Sequence, residues 1–218
     1  MTKRWGQKIL RLVGGGWAMD AVWDCLRDVV LEHLGTGPVA LLAYGSRVLG
    51  RALPDSDYDV YIVGRDYGAE RLTRTAMEQA AWERCRAHLD FHGCSPDYAE
   101  SYLSIDPQLN AAMRTGTVIY GDASRWMPPP RLSAIGVSDI CITTDILLQG
   151  SRSTAYFDHV RKELLLTRLL LESTPDWQEF YDHVRVPRSP GELRREAKTL
   201  LKILAASVDQ EAGDGGLT

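Results

Sequence analysis

The apolar positions of this chain change period several times, and each change predicts an element. Over residues 17–34 they recur at helical spacing, with Ala21, Leu26, Val29, Val30 and Leu34 able to share one face, and Gly35-Thr36-Gly37-Pro38 ends the run. Residues 39–44 and 58–63 are apolar runs rich in Val, Ile, Leu and Tyr, the composition of strands. Residues 69–87 are helix-like and lead into His88-Leu89-Asp90-Phe91-His92, an apolar-flanked segment expected as a further strand. Ser95-Pro96-Asp97 marks a helix start, because proline is accommodated in a first turn. A short helix is expected over residues 107–114 and a brief strand over 117–121.

The pattern changes character at Met127-Pro128-Pro129-Pro130, since consecutive prolines continue neither helix nor strand. Beyond it strand signals mostly vanish. Residues 138–149, 153–173, 176–184 and 191–207 read as helices that would pack as a bundle. The expected organisation is an N-terminal extension (1–16), an α/β (α+β) domain with a small mixed sheet (17–126), a linker (127–131), a helical bundle (132–208) and an acidic, Gly-rich tail expected to be disordered (209–218). The glycines at 14–16 are not a phosphate loop, because no strand precedes them and no Gly-Lys-Ser follows. Together with Arg11 they also interrupt any signal-peptide core.

Composition narrows the class. With 218 residues, 44% of them apolar, and a net charge of −4, the chain suits a soluble globular protein without the global basic field of a nonspecific nucleic-acid binder. No segment approaches the ~20 apolar residues of a membrane span. The four cysteines, Cys25, Cys85, Cys94 and Cys141, form no Cys-x-x-Cys pair, which argues against a zinc site and a disulfide scaffold and for a reducing cytoplasm.

The chemistry concentrates between the first two strands. Gly45-Ser46 follows the first apolar run, and Ser56-Asp57-Tyr58-Asp59 opens the second. Residues two apart on a strand share a face, so Asp57 and Asp59 would point together and Tyr58 into packing. Paired carboxylates repel unless a cation lies between them, and a hard divalent ion such as Mg²⁺ suits an all-oxygen donor set. The competing reading, a turn or helix-cap role, is weakened because Pro54-Asp55-Ser56 already supplies the turn.

This stretch resembles the signature of the nucleotidyltransferase superfamily that includes DNA polymerase β, most closely its minimal and antibiotic-modifying branches. Gly45, Ser46, Gly50, Ser56, Asp57 and Asp59 match the pattern, while Val48 and Leu49 replace the smaller or basic residues often found there. The resemblance covers roughly residues 17–126. It implies that Asp57, Asp59 and a third carboxylate, for which Asp90 is the candidate, are catalytic and hold two Mg²⁺ ions. The alternative for Asp90 is a strand-end carboxylate paired with a nearby arginine. It also implies that Gly45, Ser46, Arg47 and Ser56 form the nucleotide-binding loop. Arg47 and Arg51 would touch the triphosphate or else be solvated loop arginines.

The resemblance implies transfer of an NMP, with ATP the expected donor, to a hydroxyl of a small aminoglycoside-like molecule. The alternatives are an antitoxin-like enzyme that adenylylates a HEPN-type protein partner, and a non-catalytic nucleotide-binding or interaction module. Nucleic acid and membrane are not expected partners. In two-domain relatives the helical domain can supply a general base; Asp139, Asp145, Asp158 and Glu163 lie in that region, and nothing in the sequence selects among them. Tyr156, Phe157 and Trp177 read as core rather than as a ligand platform. Arg152 and His159 resemble the Arg-x₄₋₆-His motif of HEPN-type domains, a short pattern that often arises by chance.

Overall fold

The computed structural model describes residues 21–35, 37–64, 71–150 and 153–214. The N-terminal extension, the start of the first expected helix, Arg152 and residues 215–218 lie outside them.

The chain runs α1 (Ala21–Leu34), β1 (Pro38–Tyr44), α2 (Gly45–Val48), β2 (Tyr58–Gly64), α3 (Arg71–Ala80), a π-helical turn (Ala81–Cys85), β3 (Leu89–Cys94), α4 (Pro96–Tyr102), α5 (Pro107–Thr115) and β4 (Thr117–Gly121). Four helices complete it: α6 (Ala134–Gly150), α7 (Thr154–Leu170), α8 (Trp177–Val184) and α9 (Pro190–Asp214). The sheet has the order β3-β2-β1-β4, with β1 antiparallel to both β2 and β4, and β2 parallel to β3. This is the small mixed sheet that the pattern predicts. The start of α4 is secured as expected: Pro96 occupies the first turn and the Ser95 hydroxyl accepts from the Tyr98 amide at 3.1 Å. Helix α9 extends to Asp214, where the pattern alone places its end at 207.

Strand alternation divides the sheet between two cores. Leu41, Ala43, Tyr58, Val60, Ile62, Leu89 and Phe91 face α1 and α3, packing with Trp23, Leu26, Val30 and Met77. Ala40, Leu42, Tyr44, Tyr61, Val63 and Cys94 face the other way, packing with Leu103, Leu109 and Trp126. Burying both faces requires the near-continuous apolar runs seen in β1 and β2. The helices after the linker build a third core around Val160, Leu164, Leu170, Ala197, Leu200 and Leu204, which Ala111 of α5 joins. The backbone ties these parts together: the Leu132 amide donates to Leu170 at 3.1 Å, and the Ser133 amide to Ser104 at 2.7 Å. Arg114 donates to the carbonyls of Pro130 (3.0 Å) and Ser173 (3.3 Å).

The cysteine reading requires correction. Cys25 and Cys85 form a disulfide that staples α1 to the π-helical turn, while Cys94 and Cys141 are free and buried. The two partners are 60 residues apart, so their pairing depends on how α1 packs and leaves no spacing signature. The case for a reducing compartment, which rested on cysteine usage, falls with it. Among the described residues, no helix is long and apolar enough to cross a membrane.

Candidate active site

The acidic residues meet where β1, β2 and β3 end. Asp59 pairs with Tyr44 across the antiparallel β1–β2 register and with Asp90 across the parallel β2–β3 register. Because side chains alternate, Tyr44, Asp59 and Asp90 lie on one face, while Tyr58 turns to the other and packs edge-on against Trp23 at 4.9 Å. Asp57 precedes β2 and is exposed. All three carboxylates line one cleft of about 630 Å³.

Gly45 is fitted to this place. It has φ +79°, and a Cβ there would lie 2.0 Å from Asp59 Oδ2. Only glycine allows both the left-handed backbone and that approach. The close neighbour that requires glycine is thus the Asp59 carboxylate. Ser46, 8% exposed, is the second residue of the short α2, which Gly45 opens, and its side chain does not line the cleft. Arg47 turns inward: it donates to the carbonyls of Ser56 and Asp57 (3.2 Å to the latter) and covers the Tyr58 ring at 3.9 Å. Ser56 closes the same loop by accepting from the Leu53 amide at 2.8 Å. Arg47 and Ser56 therefore brace the loop that presents Asp57, and neither lines the cleft.

The electrostatics separate the two register partners, Asp59 and Asp90. Burial, then the charges of Asp90 and Asp57, push the Asp59 carboxyl up to about 7. Asp90 moves the other way, held below the ordinary range chiefly by hydrogen bonding to His92, with Arg74 adding to it. Its Oδ1 is 3.2 Å from Arg74 Nη2 and its Oδ2 is 3.7 Å from His92 Nε2. The arginine pairing weighed as the alternative for Asp90 is thus present, on a carboxylate that also faces the cleft.

Among the described residues, no group of three His, Cys, Asp or Glu side chains is gathered so as to hold a metal ion as it stands. The donors nevertheless suit a hard cation. They are carboxylate oxygens, two of them on register partners, and burial together with the charges of Asp90 and Asp57 leaves the ionised Asp59 in need of a positive partner.

The opposite wall comes from the helical part. Helix α7 contributes Ala155, Asp158, His159, Lys162, Glu163 and Leu166, a row at helical spacing, and α8 contributes Trp177, Phe180, Tyr181 and Val184. Of the four candidate bases, Asp158 and Glu163 reach the cleft, and Asp139 and Asp145 do not line it. The two are not equivalent. Burial raises Asp158, but Lys162 (2.7 Å) and Arg161 (2.9 Å) more than reverse this and lower it. Burial raises Glu163, whose one ion-pair contact within 4 Å among the described residues would be with the His159 ring, at 3.8 Å. The core reading for Phe157 holds, as it is buried among bundle residues. Trp177 differs: it packs on the bundle and also lines the cleft, because α8 buries no residue fully and lies along the opening.

Arg74, His92, Lys162, Phe180 and Tyr181 had no assigned role in the sequence pattern. An i, i+4 pairing of Asp158 with Lys162 was the available signal for Lys162.

Residues 25–111 match the family model described as the nucleotidyltransferase domain. No curated protein matches the chain. Among solved structures, the chain is similar to a spectinomycin adenyltransferase from Enterococcus faecialis with ATP and spectinomycin, at a TM-score of 0.48 and 12% identity, over 82% of this chain and 98% of that one. The matched segment contains the Gly45-Ser46 turn, the Asp57-Tyr58-Asp59 strand entry and Asp90. Residues 25–111 are thus what this chain shares with the nucleotidyltransferase domain family.

Proposed function

We propose that this enzyme transfers an NMP, AMP from ATP, to a hydroxyl of a small aminoglycoside-like molecule in a Mg²⁺-dependent reaction. The observation supporting this best is the cleft itself. Asp57, Asp59 and Asp90 form one wall, and a base-bearing helix with an aromatic neighbour forms the other. Its volume of about 630 Å³ lies within the range of small-molecule sites.

Asp57, Asp59 and Asp90 would hold Mg²⁺, which when bound lowers the pKa of an attacking hydroxyl and stabilises the leaving pyrophosphate. The chain's own residues supply the remaining tasks. Gly45 keeps the backbone clear of Asp59, and Ser46 with the amides after Gly45 would bind the β- and γ-phosphates. Lys162 offers the triphosphate a cation from the α7 side. Glu163, raised by burial and free of the close cations that hold Asp158, would accept the proton of the acceptor hydroxyl. Trp177, Phe180 and Tyr181 give the acceptor an apolar wall and keep water out.

The test is incubation with each α-labelled NTP and Mg²⁺, using a cell extract and a panel of aminoglycosides and other hydroxyl-bearing compounds, beside an Asp57→Ala control. Label in a small product, lost in the control, is the expected result. Label in a protein band would replace the small-molecule acceptor by a protein, and label unchanged in the control would sink the assigned site.

A further inference from the structure

Among the described residues, Asp59 has no cation bonded to it, whereas Asp90 has both carboxylate oxygens engaged, one by Arg74 and one by His92. Arg74 lies on α3, enters the cleft, and places its guanidinium carbon 4.9 Å from the centre of the Phe91 ring. Its Nε also donates to Glu78 Oε1 at 2.9 Å, one turn further along the same helix. The guanidinium thus stands between two carboxylates, one belonging to the site and one not.

We propose that Arg74 is a displaceable counter-cation for Asp90, neutralising this carboxylate until a divalent cation takes it over, with Glu78 as the resting place for the released guanidinium. The inference rests on the metal-binding role proposed above for Asp57, Asp59 and Asp90. Three features make the exchange easy. The Arg74 side chain is 47% exposed, so its pairing with Asp90 is weak by itself. The bond to Asp90 is the longer of these two carboxylate contacts, 3.2 Å against 2.9 Å. Glu78 already holds Nε, so Nη2 can leave Asp90 while that bond is kept. A guanidinium and a divalent ion repel strongly over a few ångströms, so both would not share Asp90 without cost. Arg74 thereby sets how readily Asp90 joins Asp57 and Asp59 around a cation.

The test is Mn²⁺ binding to the full chain, monitored by calorimetry and by the electron paramagnetic resonance of free Mn²⁺, without nucleotide. Arg74→Met is expected to bind Mn²⁺ about 3- to 10-fold more tightly than the unaltered protein. Glu78→Gln removes the resting carboxylate, commits Arg74 more firmly to Asp90, and is expected to bind more weakly. Opposite effects from two changes on one helix separate this role from a general loss of stability, which would weaken both. Equal or weaker binding by Arg74→Met, or tighter binding by Glu78→Gln, overturns the proposal. An Asp57→Asn control distinguishes the underlying reading: if it binds Mn²⁺ as the unaltered protein does, the metal role fails and the counter-cation role with it.

Discussion

Asp59 and Asp90 are register partners on the parallel strands β2 and β3, yet their carboxyl groups are driven in opposite directions. Burial and its two acidic neighbours raise Asp59, while His92 and Arg74 hold Asp90 down. Adjacent acids with separated proton affinities are typical of sites that handle charge during a reaction.

The Asp59 carboxyl carries a stability cost at neutral and higher pH. Its folded-state value of about 7 exceeds the ordinary 3.8, so its favourable contribution is complete below 3.8 and is lost as pH rises through about 7. In EDTA, Asp59→Asn is therefore expected to be more stable than the unaltered protein by about 1–3 kcal/mol at pH 8, and by less at pH 5. Urea unfolding at both pH values checks this, and transfer by the same variant should fall at least ~10³-fold. An equal or lower stability at pH 8 would contradict the charge assignment.

Gly45 leaves no room for a methyl group. Gly45→Ala puts a Cβ at φ +79° against the Asp59 carboxylate. A stability loss of about 1–3 kcal/mol is expected, with transfer falling by roughly 10²-fold or more as Asp59 is pushed aside. Thermal melts and single-turnover rates measure the two effects separately.

The two cleft carboxylates of α7 should separate kinetically. Glu163→Gln is expected to lower kcat by about 10²–10⁴-fold, the usual span for a general base. It should also make the acid limb of kcat/KM shallower by one ionisation, because burial raises this carboxyl and its protonation adds to that of Asp59 as pH falls. Asp158→Asn, at a carboxylate already bonded by Lys162 and Arg161, should leave that limb in place. A pH profile lacking an acid limb in the unaltered enzyme would remove Glu163 from this role.

The Cys25–Cys85 link closes a 60-residue separation. Reduction, or a Cys85→Ser change, is expected to cost about 2–4 kcal/mol. Urea unfolding with and without reductant reads this, and identical midpoints would mean that the two thiols are unpaired in solution.

The helical bundle is braced by a buried guanidinium. Arg161, 1% exposed, donates to Asp158 and to the Val184 carbonyl (2.9 Å each) and stands 3.6 Å from Glu196. Arg161→Met leaves Glu196 and the end of α8 short of a partner, and should destabilise by about 3–5 kcal/mol. A change under ~1 kcal/mol in chemical unfolding would indicate that the other partners of Glu196, His183 and Arg188, suffice.

Residues 38–64 were legible because their signals are local. Apolar runs of strand composition flank a turn, and alternation alone turns Tyr58 away from Asp59. Asp90 was legible in part: its strand was expected, but its partnership with Arg74 depends on where α3 lies over the sheet. Asp139, Asp145, Asp158 and Glu163 look alike in sequence, since each is an acid on a helix. Which of them reaches the cleft depends on the rotational phase of α6 and α7, and small offsets in that phase redirect every side chain.

From its sequence alone this chain determined the strand–turn–strand that carries Asp57 and Asp59, the proline break and the helical character of the segment beyond that break. Those rest on hydrophobic period and backbone stereochemistry within short stretches. Tertiary structure alone decided the pairing of Cys25 with Cys85, the engagement of Asp90 by Arg74, and the α7–α8 wall with Lys162, Glu163 and Trp177. Each of these needs segments distant in the chain to meet at side-chain range, and no local pattern encodes that distance.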